Sequence, residues 1–287
     1  MRFAHGVTAL AQETSVCVRG ASVRVRFESS GDGVPLVFLH GFTGDSREWA
    51  DFATRVEVHQ PWYAFDLLGH GQTVLEVDSE RPERYRMQEQ VSDLEAVLEQ
   101  LGIGSMILIG YSLGGRVALS YAVARPARLR GLVLESASPG LAAPEEQIAR
   151  RLSDAVLAKR IQTLGVRNFI DEWERIPLFE SQGDLPDEVR QRQRDVRCSQ
   201  RKVGLGNSLL GMGTGSQPSL WRELAAVRVP TLLVTGELDA KFTQIAELMQ
   251  ERIKDARHAR MQGVGHNVHL EAPELYWQAV SEFMTAI

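Results

Sequence analysis

The chain has 287 residues, 44% of them hydrophobic, enough to bury one sizeable core with an inserted lobe or to form two small domains. A formal net charge of −5 and a pI near 5.9 argue against a nucleic-acid surface, because phosphate binding needs a clustered positive field. The balance points instead to a small-molecule ligand.

Cys17 and Cys198 stand far apart and form no CxxC or Cys/His metal spacing, so they read as ordinary thiols in a reducing compartment. The N-terminal stretch MRFAHGVTALAQETS lacks an apolar segment long enough for a signal peptide, and no uninterrupted run of about 18 apolar residues occurs. The expectation is a cytoplasmic protein with neither membrane nor nucleic acid as partner, frayed over roughly its first fourteen residues.

Short apolar and β-branched runs then follow in chain order: SVCVRG, SVRVRF, LVFLHG, WYAFDLLG, MILIGYS, GLVLESA, TLLVTGELD and ARMQGVGH. Turn signals behind them predict strands, several of them buried. Helical segments separate the later ones; in VSDLEAVLEQL, residues Val91, Leu94, Val97, Leu98 and Leu101 form one apolar face. Alternating strand and helix predict an α/β protein with a mostly parallel sheet covered on both sides.

The alternation breaks after GLVLESA, where Arg-rich helical sequence such as EEQIARRLSDAVLAKRIQTLG carries no strand. The reading is a core of residues 1–138 and 217–287 with a helical cap inserted at 139–216. Such a cap should sit over the carboxyl ends of the strands, where open α/β sheets bind ligands. Within it, GLGNSLLGMGTGSQP is dense enough in glycine to read as a turn or hinge.

Residues 108–119, LIGYSLGGRVAL, place Ser112 between Gly110 and Gly114 at the end of an apolar run. GxSxG alone is a weak signal. Here MILIG supplies a strand, Tyr111-Ser112-Leu113 a tight turn and GGRVALSYAVA a helix, the elbow that exposes a serine hydroxyl above a sheet. Gly110 and Gly114 remove side chains that would clash in the turn, and Gly115 lets the helix pack close.

A serine hydroxyl becomes reactive when an imidazole accepts its proton and a carboxylate fixes the imidazole tautomer. The partners should follow in the order Ser, acid, His, and they do: Asp239 closes TLLVTGELD and His266 lies in QGVGHNVHLE. Glu237 is a rival acid. His269 is a rival histidine that reads better as a loop residue or the start of a helix. Oxyanion donors are expected from the amides of Leu113, after the serine, and of Phe42 in LHGFTG. His40 and His70 read as turn-pinning residues that transfer no proton.

Arg116 stands one helical turn after Ser112 on the same face. A buried guanidinium must meet a carboxylate, supplied by the protein or by the ligand. Lys241, two residues after Asp239, either faces the same cleft or is a solvated surface lysine. Residues 139–216 hold 12 Lys/Arg and 11 Asp/Glu, so the insertion is no basic domain, and most of its arginines read as a solvated helix face. Several cations over a serine suggest a substrate with several carboxylates, not a fatty ester.

The elbow, the Ser-Asp-His order and the inserted helices resemble the α/β-hydrolase superfamily after about residue 15. LHGFTGDSREW, GYSLGGRVAL, WERIPLFESQ, GMGTGSQPSLW, GELDAKFTQIAELM and GVGHNVHLEAPELY further resemble its menaquinone-pathway family, the 2-succinyl-6-hydroxy-2,4-cyclohexadiene-1-carboxylate synthases. The resemblance implies a carbon–oxygen lyase that needs no cofactor. It would remove pyruvate by 2,5-elimination from a tricarboxylate, 2-succinyl-5-enolpyruvyl-6-hydroxy-3-cyclohexene-1-carboxylate.

In that implied reaction Ser112, relayed by His266 and Asp239, takes the proton beside the succinyl ketone, and the Phe42 and Leu113 amides hold the enolate oxygen. By matching motifs Tyr111, Arg116, Trp173 and Lys241 carry over as substrate-binding, with Arg150 and Arg197 as the cap arginines; Arg151 and Arg194 are their rivals. DLLGHGQT lacks the proline the family usually carries after the first leucine, a departure confined to a loop. The alternatives are a serine hydrolase of the same fold acting on an ester or carbon–carbon bond of an anionic substrate, and a non-catalytic receptor on that scaffold.

Overall fold

A computed structural model of the chain describes residues 11–50, 60–75 and 81–287. Its sheet contains β1 (Gln12–Val18), β2 (Ala21–Glu28), β3 (Leu36–Leu39), β4 (Trp62–Phe65), β5 (Val74–Leu75), β6 (Met106–Tyr111), β7 (Leu129–Glu135), β8 (Thr231–Gly236) and β9 (Ala256–Met261). The order is β1-β2-β4-β3-β6-β7-β8-β9, with the two-residue β5 paired to β2. β1 and β2 pair antiparallel, as do β2 and β4, and every pair from β4 to β9 is parallel.

The central strands are legible because both of their faces are covered. Every residue of β3, β6 and β8 is buried. Alternate side chains feed two cores: Val37, Leu39 and Leu108 on one side, Leu36, Phe38, Ile107 and Ile109 on the other. The first core is closed by α1 (Met87–Gln100), through Val91, Leu94, Val97 and Leu98, and by α2 (Leu113–Ala124).

Two expectations are corrected at the sheet edges. The fraying expected over the first fourteen residues does not extend to Gln12–Thr14, which pair with Phe27, Arg26 and Val25; residues 1–10 lie outside the described residues. The last strand starts at Ala256 rather than at ARMQGVGH, because pairing with β8 begins there. Its sequence ARHARM is half polar, as an edge strand can be, and GVGH falls in the loop beyond it.

Between β7 and β8 stand four helices: α3 (Pro144–Leu164), α4 (Val166–Trp173), α5 (Asp187–Cys198) and α6 (Lys202–Met212). Of these, α3, α4 and α6 share a small core of Ala158, Ile161, Phe169, Ile170, Leu205 and Leu209, with Cys198 of α5 packed against it. Most of the glycine-dense stretch read as a hinge is therefore helix. Its glycines serve close approach, since a Cβ on Gly204 would lie 2.2 Å from the Gly69 carbonyl oxygen. Gln200 adds a second tie to the sheet layer, accepting from Gly71 N at 2.8 Å and donating to Asp45 Oδ2 at 3.1 Å.

After β8 come α7 (Ala240–Gln250), α8 (Val268–Glu271) and α9 (Pro273–Thr285). Tyr276, Val280 and Phe283 of α9 cover the second core. No helix among the described residues is long and apolar enough to cross a membrane. Cys17 and Cys198 are both free.

Candidate active site

β6 ends at Tyr111 and α2 starts at Leu113, leaving Ser112 at φ 49°, ψ −105°, a conformation that costs energy for any residue with a Cβ. The turn closes only because its neighbours lack side chains. A Cβ on Gly110 would lie 2.5 Å from the Gly114 carbonyl oxygen, and one on Gly114 would lie 2.2 Å from that of Leu39.

The loops after β8 and β9 bring up the partners. The Ser112 hydroxyl lies 3.1 Å from His266 Nε2, and His266 Nδ1 lies 2.6 Å from Asp239 Oδ2. Asp239 is buried and also caps α7 by accepting from Phe242 N at 3.3 Å. Glu237 points away, accepting from Gly263 N at 3.1 Å and from Arg260 at 3.2 Å at the surface. A carboxylate, an imidazole and a hydroxyl in this chain can pass a proton from the serine to the ring.

The amides of Phe42 and Leu113 donate no hydrogen bond among the described residues, so both are available to an oxyanion. His40 pins its turn as expected, with Nδ1 2.7 Å from the Gly41 carbonyl and Nε2 accepting from Leu67 N at 3.0 Å. The turn at His70 is closed by its backbone and not by its ring. That ring is buried beside His40 and Phe42, and burial, ahead of the neighbouring His40, holds its pKa well below the ordinary value.

Above Ser112 and His266 lies a cavity of about 310 Å³, lined also by Phe42, Tyr111, Leu113, Arg116, Arg150, Trp173 and Lys241. Its described lining holds three cations and no carboxylate. Arg116 Nη1 donates to the Met212 carbonyl at 2.7 Å and to Gln217 Oε1 at 2.9 Å, both neutral acceptors. Burial, and then repulsion from Arg150 partly offset by Asp154, pushes its pKa down to about 10. The guanidinium therefore stays protonated at neutral pH without an ion-pair partner of its own among the described residues.

Arg150 is held by Asp154 at 2.7 Å, whereas its neighbour Arg151 turns to the Gly215 carbonyl at 3.2 Å. Trp173 stacks on Phe169 with centroids 5.6 Å apart and meets Phe42 edge-on at 5.5 Å, which joins the helices between β7 and β8 to the loop after β3. Tyr111 is buried, and burial together with Glu48 and Glu135 keeps its phenol protonated.

Arg197 lies outside this lining. Its guanidinium lies over Phe179 at 4.9 Å, contacts Glu174 and Gln182 at 3.3 Å, and borders a separate opening of about 870 Å³ among the helices between β7 and β8. Arg194 beside it is held by Asp171 and Glu174.

The family described by the alpha/beta hydrolase fold matches residues 34–273. A Bacillus subtilis (strain 168) relative, which carries the name 2-succinyl-6-hydroxy-2,4-cyclohexadiene-1-carboxylate synthase in provisional form, is 41% identical over 93% of this chain and 96% of its own length. The chain belongs to this synthase family of α/β-hydrolases. A synthase of the same name from Enterobacter sp. (strain 638) is 35% identical over 83% of this chain and 86% of its own. The MenH structure from S. aureus superposes with a TM-score of 0.85 at 34% identity, covering 91% of this chain and 98% of that one.

In this synthase-family member the supports of the triad were not legible in sequence. Glu135, at the end of β7, accepts from His269 N at 3.0 Å and lies 2.8 Å from its Nδ1, while its carbonyl accepts from Ser112 N at 2.8 Å. His269 stands on α8 as expected, but as half of a buried ion pair stacked 4.2 Å from Trp49. Burial would depress its pKa, yet the charge and hydrogen bond of Glu135 carry it above the ordinary value. Glu271 grips the loop that carries His266, accepting from Gly265 N at 2.6 Å and Asn267 N at 3.2 Å. Lone carboxylates outside any motif give no signal of such pairing.

Proposed function

We propose that the chain eliminates pyruvate from 2-succinyl-5-enolpyruvyl-6-hydroxy-3-cyclohexene-1-carboxylate to give 2-succinyl-6-hydroxy-2,4-cyclohexadiene-1-carboxylate. The observation that carries this beyond family membership is the cavity lining: Arg116, Arg150 and Lys241 with no carboxylate, over a hydroxyl aimed by His266 and Asp239. Three cations suit the three carboxylates of that substrate, and Arg116, bound only to neutral oxygens, gains most from an anion.

In this reading residues 139–216 are a cap over a core of 1–138 and 217–287, and the cap supplies Arg150 and Trp173. The Ser112 oxygen takes the proton beside the succinyl ketone as its own proton passes to His266 Nε2, with Asp239 stabilising the imidazolium. The electron pair moves onto the ketone oxygen, held by the Phe42 and Leu113 amides. Its return expels the enolpyruvyl oxygen across the ring; the leaving enolate takes the proton held on His266, which resets the imidazole, and is pyruvate. Serine acts as a base, and no acyl-enzyme forms. Tyr111 and Trp173 wall the cavity, and Arg197 packs behind Phe179, which lines it.

The test is an intact-mass measurement on enzyme quenched during turnover of the enolpyruvyl substrate. Pyruvate release with an unmodified enzyme mass is expected. An acyl increment on Ser112, or inertness toward this substrate beside fast saturable turnover of activated esters, would replace elimination by hydrolysis.

A further inference from the structure

A cap helix in water should present a polar outer face, but an apolar stripe runs through that of α3. Its buried residues are Asp154, Ala158 and Ile161. On the opposite side Ile148, Leu152 and Val156 recur every fourth position and are 52%, 66% and 60% exposed. The chemistry of this face is symmetric about Leu152. Ile148 and Val156 stand one turn to either side, and exposed Glu145 and Lys159 stand two turns to either side. At 100° per residue all of them fall within about 40° of Leu152. Neither the Glu145 nor the Lys159 side chain makes a hydrogen bond or ion pair among the described residues.

We infer that this face docks a second copy of the chain, α3 against α3, antiparallel about a two-fold axis at Leu152. A two-fold axis sets each residue before Leu152 against the one equally far behind it in the other copy. Leu152 then meets its own mate, Ile148 meets Val156, and Glu145 meets Lys159 twice. Antiparallel helices also oppose their dipoles favourably. A parallel pairing would bring Glu145 to Glu145 and Lys159 to Lys159. A partner of one charge sign would be attracted at one end of the stripe and repelled at the other. Arg150 sits on the far side of the helix and still lines the cavity. One helix pair is a small interface, so the association should be weak and depend on concentration.

Sedimentation velocity of the full chain between about 1 and 100 µM tests this. The wild type should shift from monomer toward dimer across that range, and Leu152→Glu should stay monomeric. Lys159→Glu should raise the dissociation constant about tenfold, and adding Glu145→Lys to it should restore the wild-type value. Unchanged thermal unfolding at low concentration checks that the variants are folded. A wild type monomeric throughout, a dimer untouched by Leu152→Glu, or a charge-reversed pair that fails to recover would each overturn the proposal.

Discussion

Arg116 is costly to bury, a guanidinium facing two neutral oxygens, its pKa depressed by burial and then by Arg150. An anion in the cavity relieves that cost. Replacing Arg116 with Ala should lower kcat/KM about a hundredfold, with KM raised and kcat reduced together, in steady-state pyruvate assays. The acid of the triad is tested in the same assay. Asp239→Asn should cost about 10³-fold or more in kcat by presenting the wrong tautomer of His266, whereas Glu237→Gln, at a surface hydrogen bond, should stay within about threefold. His269→Ala would strand the buried Glu135 carboxylate and should lower unfolding free energy by about 3 kcal/mol. Since the pKa of His269 is raised on folding, that contribution is complete below the ordinary value of 6.5 and falls as pH rises through the folded one. Denaturant melts from about pH 6 to pH 9 should show the gap between wild type and variant narrowing.

At the scale of elements, the parts that could be read were those whose physics repeats along the chain. β3, β6 and the centres of β7 and β8 are apolar runs because both faces are buried there, and the elbow announces itself through glycines that backbone contacts require. The triad followed from chain order on that scaffold. Illegible were β5, too short to show a pattern, the polar first half of the edge strand β9, and the helical identity of α6, where glycines chosen for contact look like glycines chosen for turning. The fate of Arg197 was also hidden, because pairing with Glu174 depends on how α4 and α5 pack. The contact of α6 with the sheet layer has its own consequence. Gly204→Val places a side chain against the Gly69 backbone, and it should push the cap outward and raise KM at least about tenfold, with a smaller change in kcat.

For the whole molecule, an acidic chain encloses a cavity whose described lining is purely cationic in its charges, so attraction for the substrate is local to the site and not a property of the surface. The sheet fixes Ser112, Asp239 and His266 at three strand ends, and the helices between β7 and β8 bring Arg150 and Trp173 over them. In the proposed mechanism the serine oxygen is the base for elimination in that enclosure. This role is tested most directly by the rate of pyruvate release from the enolpyruvyl substrate, wild type against Ser112→Ala. The variant should be slower by about 10³-fold or more; release at a rate near that of the wild type would contradict the mechanism.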